Sequence, residues 1–96
     1  RAFNEAETAM RGSRELLSGD RGVLYRQGKE CILWCFREFR AGLPGGVRIA
    51  ELAGGARREG DRLDCSARSV LRLTAEQPGE LAAALRHSGA AQPVLS

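Results

Sequence analysis

The deepest apolar stretch of the chain, Cys31-Ile32-Leu33-Trp34-Cys35-Phe36, lies inside residues 21–41, a segment with no proline and with Gly28 as its only glycine past the first turn. A run of that length favours a helix over a short buried strand. At 100° per residue, Leu24, Tyr25, Gly28, Cys31, Ile32, Cys35, Phe36 and Phe39 share one broad arc, and Arg26, Lys29, Glu30, Arg37 and Arg40 form a narrow stripe opposite. The spacing predicts a central helix over 21–41 that is buried on most of its circumference. Leu33 falls within the charged stripe and Trp34 beside Gln27 and Glu38, so both are expected outside the buried arc.

The flanking segments read as shorter pieces that cover this element. Phe3, Ala6, Met10, Ser13 and Leu17 lie on one helical row, which predicts a first helix over 2–17. Ser18-Gly19-Asp20 supplies a terminating glycine and a capping aspartate, so the first two helices should form a tight antiparallel hairpin. Pro44 and the glycines at 42, 45 and 46 end the central helix. Residues 47–53 alternate weakly through Val47, Ile49 and Glu51 but also fit a short helix through Ile49, Leu52 and Ala53, the reading favoured here. Gly54-Gly55 stops it, and residues 56–60 follow as an exposed loop. Asp61 and Asp64 cap a helix over 61–73, with Leu63, Ala67, Val70 and Leu71 inward. Pro78 opens a last helix whose inner face is Leu81, Ala84 and Leu85, with Gly89 as its terminator and an extended tail over 90–96.

These elements predict an all-α fold, a small bundle of four or five short helices around the central buried helix. The 96 residues are expected to form a single domain, near the size at which one core holds without staples. Because the chain begins at Arg1 rather than methionine, it is read as excised from, or processed out of, a longer chain.

Composition changes this picture little. No segment has the apolar length needed to span a membrane as a helix, so no membrane partner is expected. The balance of 15 basic to 12 acidic residues leaves a formal charge of +3, compatible with acidic or phosphate-bearing partners but well short of a dedicated nucleic-acid binder. Three cysteines, two of them inside the apolar run, fit free thiols in an intracellular, reducing compartment, cytoplasm or nucleus.

No catalytic or cofactor set assembles in the sequence. A phosphate loop needs four residues between its glycines and a hydroxyl after the lysine; Gly22 and Gly28 enclose five, and Glu30 follows Lys29. Cys31, Cys35, Cys65 and His87 have the chemistry for zinc, but not the paired spacing of a structural site. His87, the one histidine, sits where a helix end explains it. The expectation is therefore no enzyme, no metal and no cofactor.

Arg62, Arg68 and Arg72 share the outer face of the helix over 61–73, with Arg57 and Arg58 just before it, a candidate phosphate-contacting face. Val47-Arg48-Ile49-Ala50-Glu51-Leu52-Ala53, followed by Ser66-Ala67-Arg68-Ser69-Val70-Leu71-Arg72 as a recognition-helix candidate, resembles a winged-helix or helix-turn-helix core across residues 32–73. Separately, Leu24-Tyr25-Arg26 is similar to the tripeptide of the mitochondrial LYR adaptor proteins, with Phe36-Arg37 or Phe39-Arg40 downstream.

Two functional readings follow. The leading one is a non-catalytic protein–protein interaction or adaptor module that presents a helix surface, through Leu33, Trp34 and Arg37, to another protein or to a second copy of itself. The alternative is a winged-helix-like nucleic-acid-binding domain that uses Arg57, Arg58, Arg62, Arg68 and Arg72. Cys65 is expected on the outer face of its helix beside Arg68, Ser69 and Arg72, which makes it the candidate reactive thiol.

Overall fold

The computed structural model describes residues 12–88. Within them the chain forms strands β1 (Arg14–Ser18), β2 (Gly22–Gln27), β3 (Glu30–Cys35), β4 (Phe39–Gly42), β5 (Val47–Ala53), β6 (Arg57–Glu59), β7 (Arg62–Cys65) and β8 (Ser69–Ala75), then one helix, α1 (Pro78–His87). The expected all-α bundle is overturned. The central helix over 21–41 is instead the β2–β3 hairpin and most of β4, the helix over 47–53 is β5, and the helix over 61–73 is β7, a turn and most of β8. The proposed first helix ends in β1, and its residues 2–11 lie outside the described residues, as do Gly89 and the tail. Among the described residues the one expected helix that forms is α1, with Pro78 in its first turn, Leu81, Ala82 and Leu85 buried, and Ala84 half-buried.

Local chemistry explains the hairpins. Gly28-Lys29 joins β2 to β3 and Gly60-Asp61 joins β6 to β7, each as a two-residue loop between the paired residues Gln27 and Glu30 or Glu59 and Arg62. The first loop residue has φ +65° at Gly28 and +60° at Gly60, the conformation that tight hairpins ask of glycine. Ser18-Gly19-Asp20 also reverses the chain, but between β1 and β2, whose antiparallel register runs from Arg14 opposite Arg26 to Ser18 opposite Val23.

One antiparallel sheet has the order β1-β2-β3-β8-β5 and the other β4-β7-β6. Their inner faces meet in one buried cluster. From the larger sheet come Leu17, Leu24, Cys31, Leu33, Cys35, Val47, Leu71, Leu73 and Ala75, from the smaller Phe39, Ala41, Leu63 and Cys65, and from α1 Leu81, Ala82 and Leu85. The helix packs on β1 and β4, the edge strands of the two sheets, and so closes one side of the sandwich. On the other side Arg58 Nη1 donates to Val47 O at 3.0 Å, tying β6 to β5.

The misread period has a physical cause in two bulges. The β5–β8 register runs Ile49 opposite Leu73 and then Leu52 opposite Leu71, with Ala50 as the extra residue. Side chains three apart therefore share a face, which imitates a helical row. A second irregularity at Leu16 breaks the alternation of β1 in the same way. In β3 the period is an unbroken two. Cys31, Leu33 and Cys35 point into the core, and Ile32 and Trp34 to the outer face, so all six residues from Glu30 to Cys35 are ordered by pairing with β2 on one side and β8 on the other.

No helix of the described residues is long and apolar enough to cross a membrane.

Candidate functional site

The candidate site is the corner where β3 leaves its sheet. The amides of Phe36 and Arg37 both donate to the carbonyl of Arg21, at 2.8 and 3.2 Å, and this turns the chain out of the ladder directly after Cys35. The same turn lifts Phe36 off the sheet and leaves it 46% exposed. Trp34, on the outer face opposite Val23 and Val70, is half-buried, and its ring meets that of Phe36 with centroids 6.0 Å apart and planes inclined at 57°. This tilted pairing is an attractive aromatic geometry. Arg37 is exposed beside them, and Arg21 reaches back to the carbonyl of Glu38.

Of the three partner-contact residues expected from sequence, this corner contains Trp34 and Arg37. Leu33 is a correction: it is 0% exposed and faces the core between Leu24 and Leu71, so it has no surface to offer. Phe36 was missed because a helical projection put it on the buried arc. Counted in twos from Trp34, it falls on the outer side.

The five arginines do not share a face. Arg57 and Arg62 project from the outer side of the smaller sheet, where Arg40 joins them around Asp64. Arg40 Nε and Arg62 Nε lie 3.6 and 3.5 Å from Asp64 Oδ1, and Arg62 also reaches Glu59 at 3.5 Å. Asp64 Oδ1 is shut off from solvent with no hydrogen bond, so charge attraction alone holds it. Arg58 is occupied by the carbonyls of Gly60 and Val47. Arg68 sits in the β7–β8 turn at φ +67°, and Arg72 stands on the outer face of the larger sheet, between Ile32 and Glu51 in register. The shared helix face that brought these residues together does not exist.

Cys65 is likewise corrected. It is 2% exposed and points into the core rather than outward between arginines, which removes the basis for reading it as a reactive surface thiol. Burial raises the Cys31 thiol above its ordinary range, with Arg26 opposing. Cys35 is raised as well, first by the hydrogen-bonding influence of Cys65 and then by burial. His87 is exposed at the end of α1. Among the described residues no three His, Cys, Asp or Glu side chains are grouped to hold a metal ion.

A cavity of about 300 Å³ opens on the outer face of the larger sheet, with Tyr25, Gln27, Glu30, Glu51, Arg72 and Thr74 among its lining. It combines two carboxylates, one guanidinium and neutral donors. That mixture selects no single ligand class.

No protein-family model, curated protein or solved structure matches this chain.

Proposed function

We propose that this chain is a non-catalytic protein-interaction module whose contact surface is the Trp34–Phe36–Arg37 corner, and that its partner is an acidic protein segment carrying at least one large apolar side chain. The observation that carries this reading is Phe36, a large ring on the surface against Trp34 instead of folded into the core. Exposed aromatics beside an arginine are the composition of interface hot spots. The +3 formal charge of the chain supports an acidic partner over a basic one.

The surface belongs to a β-sheet corner, not to a helix. The paired strands β3 and β4 flank it on either side.

The double substitution Phe36→Ser, Arg37→Glu tests the reading on the full chain. Because both side chains are exposed, the melting midpoint should stay within a few degrees of the parent. Binding of the protein recovered by the parent chain from a lysate should weaken at least about tenfold, and the loss should persist as salt rises from about 50 to 200 mM. Unchanged binding by the variant overturns the proposal. A parent interaction that collapses over that salt range and is transferred to nucleic acid would assign the chain to the alternative class. Concentration-dependent sedimentation that the variant abolishes would make the partner a second copy of the chain.

A further inference from the structure

Cys35 and Cys65 are the last residues of β3 and β7, strands of different sheets with β4, β5 and β6 between them in sequence. Both side chains point into the shared core, at 0% and 2% exposure, and the Cys65 thiol is near enough to act on that of Cys35. The approach is set by the backbone. Arg68 N–H donates to Cys35 O at 2.8 Å, so the turn that leaves Cys65 folds back across the end of β3. Ser69 then pairs opposite Cys35 in the β3–β8 ladder. Ser66 Oγ and Ser69 Oγ lie 3.0 Å apart and both donate to Gly54 O, at 2.7 and 3.1 Å, which pins that turn from its other side.

We propose that Cys35 and Cys65 form a reversible inter-sheet disulfide site, a dithiol under reducing conditions that is closed to a single cystine by a small-molecule disulfide such as oxidised glutathione. One cysteine, as thiolate, attacks a sulfur of the oxidant; the oxidant's S–S bond breaks and its first thiol leaves. The second cysteine loses its proton and attacks the protein sulfur of the mixed disulfide, forming the Cys35–Cys65 bond and expelling the second thiol. The protein gives up two electrons and two protons, and one disulfide is reduced to two thiols.

Two features set the behaviour of the site. Burial and the neighbouring Cys65 hold the Cys35 thiol protonated, so its attack in the folded dithiol is slow and waits on local opening. Cys31 cannot compete. It shares the inner face of β3 with Cys35 but stands four residues along the strand, on the order of 13 Å away, beyond disulfide reach.

The test refolds the full chain, and in parallel its Cys31→Ser variant, in buffers that span reduced to oxidised glutathione, then traps free thiols with iodoacetamide and maps peptides by mass spectrometry. The expected product is one intramolecular peptide pair joining Cys35 to Cys65, with Cys31 alkylated in the parent chain. A phosphine reductant should reverse it, and the melting midpoint of the oxidised form should lie about 10 °C or more above that of the dithiol. Bridging of Cys31 to either partner overturns the proposal. So does an oxidised chain that carries only glutathione adducts or intermolecular disulfides, or a Cys35–Cys65 bridge that lowers the melting midpoint.

Discussion

Replacing Leu33 by alanine is expected to lower the unfolding free energy by about 3–4 kcal/mol, one of the largest losses available to a single substitution here. Leu33 is fully buried at the middle of β3, which itself lies in the middle of its sheet, with Leu24 on one neighbouring strand and Leu71 on the other. Truncation removes three carbons from a site walled by paired strands on both sides, so the surroundings have little freedom to collapse into the void. Against a total stability of roughly 5–15 kcal/mol for a domain of this size, the variant should show a much lower denaturant midpoint with an unchanged slope. A Leu33→Ala chain that melts with the parent but loses a binding partner would restore Leu33 to the contact surface and contradict the strand register. The Phe36→Ser, Arg37→Glu pair, three and four positions further on, should do the reverse: spare the fold and remove the interaction.

Gly54→Ala should cost about 3 kcal/mol or more. Gly54 adopts φ +81°, where an L side chain is strained by roughly 1–2 kcal/mol. A Cβ there would also lie 2.5 Å from Arg68 O and 2.9 Å from Ser69 Cα, backbone atoms that cannot rotate away. Relieving the clash means displacing the β7–β8 turn, and with it the two serine hydroxyls that donate to Gly54 O and the Arg68 amide that caps β3. Gly45→Ala is the control. Gly45 has no heavy atom within 4 Å of the added carbon and no positive φ, so that variant should match the parent to within about 0.5 kcal/mol or gain slightly. Chemical unfolding of the three chains at one temperature decides the matter; a Gly54→Ala chain as stable as the Gly45→Ala chain would show that the turn is not fixed as described.

Some sites of chain reversal were legible because they depend on single residues. Ser18-Gly19-Asp20, Gly54-Gly55 and Gly60 interrupt regular structure where the glycines stand, whereas the Gly28-Lys29 hairpin loop was read as part of a continuous helix. Gly60-Asp61 between Arg57–Glu59 and Arg62–Cys65 carries a hairpin signal in its own right. Helix α1 was legible for the same reason. Its proline in the first turn, its leucines four apart and its basic last turn are all contained within ten residues. The candidate corner was half legible. Trp34 and Arg37 stood out as misfits of a helical projection, but Leu33 stood out equally, and that misfit meant something else: in a strand of period two it belongs with Cys31 and Cys35, on the inside.

By itself, then, the sequence determined that the chain breaks at Ser18-Gly19-Asp20, residues 42–46 and Gly54-Gly55, where its one described helix runs, and that the segment around Cys31–Cys35 is deeply buried; each follows from propensity or hydropathy acting over a few residues. Only the tertiary structure decided that this segment is a strand, that Cys35 and Cys65 share one core, and that Arg57 and Arg62 lie on one sheet while Arg68 sits in a turn and Arg72 on the other sheet. Strand pairing is non-local. An apolar run of six residues is compatible with a helix or a doubly covered strand, and the choice rests on hydrogen bonds to β8, some 40 residues downstream, whose register no local pattern encodes. The bulges at Leu16 and Ala50 then shift the face of every later side chain in their strands, so that only the assembled sheet determines which residues look outward.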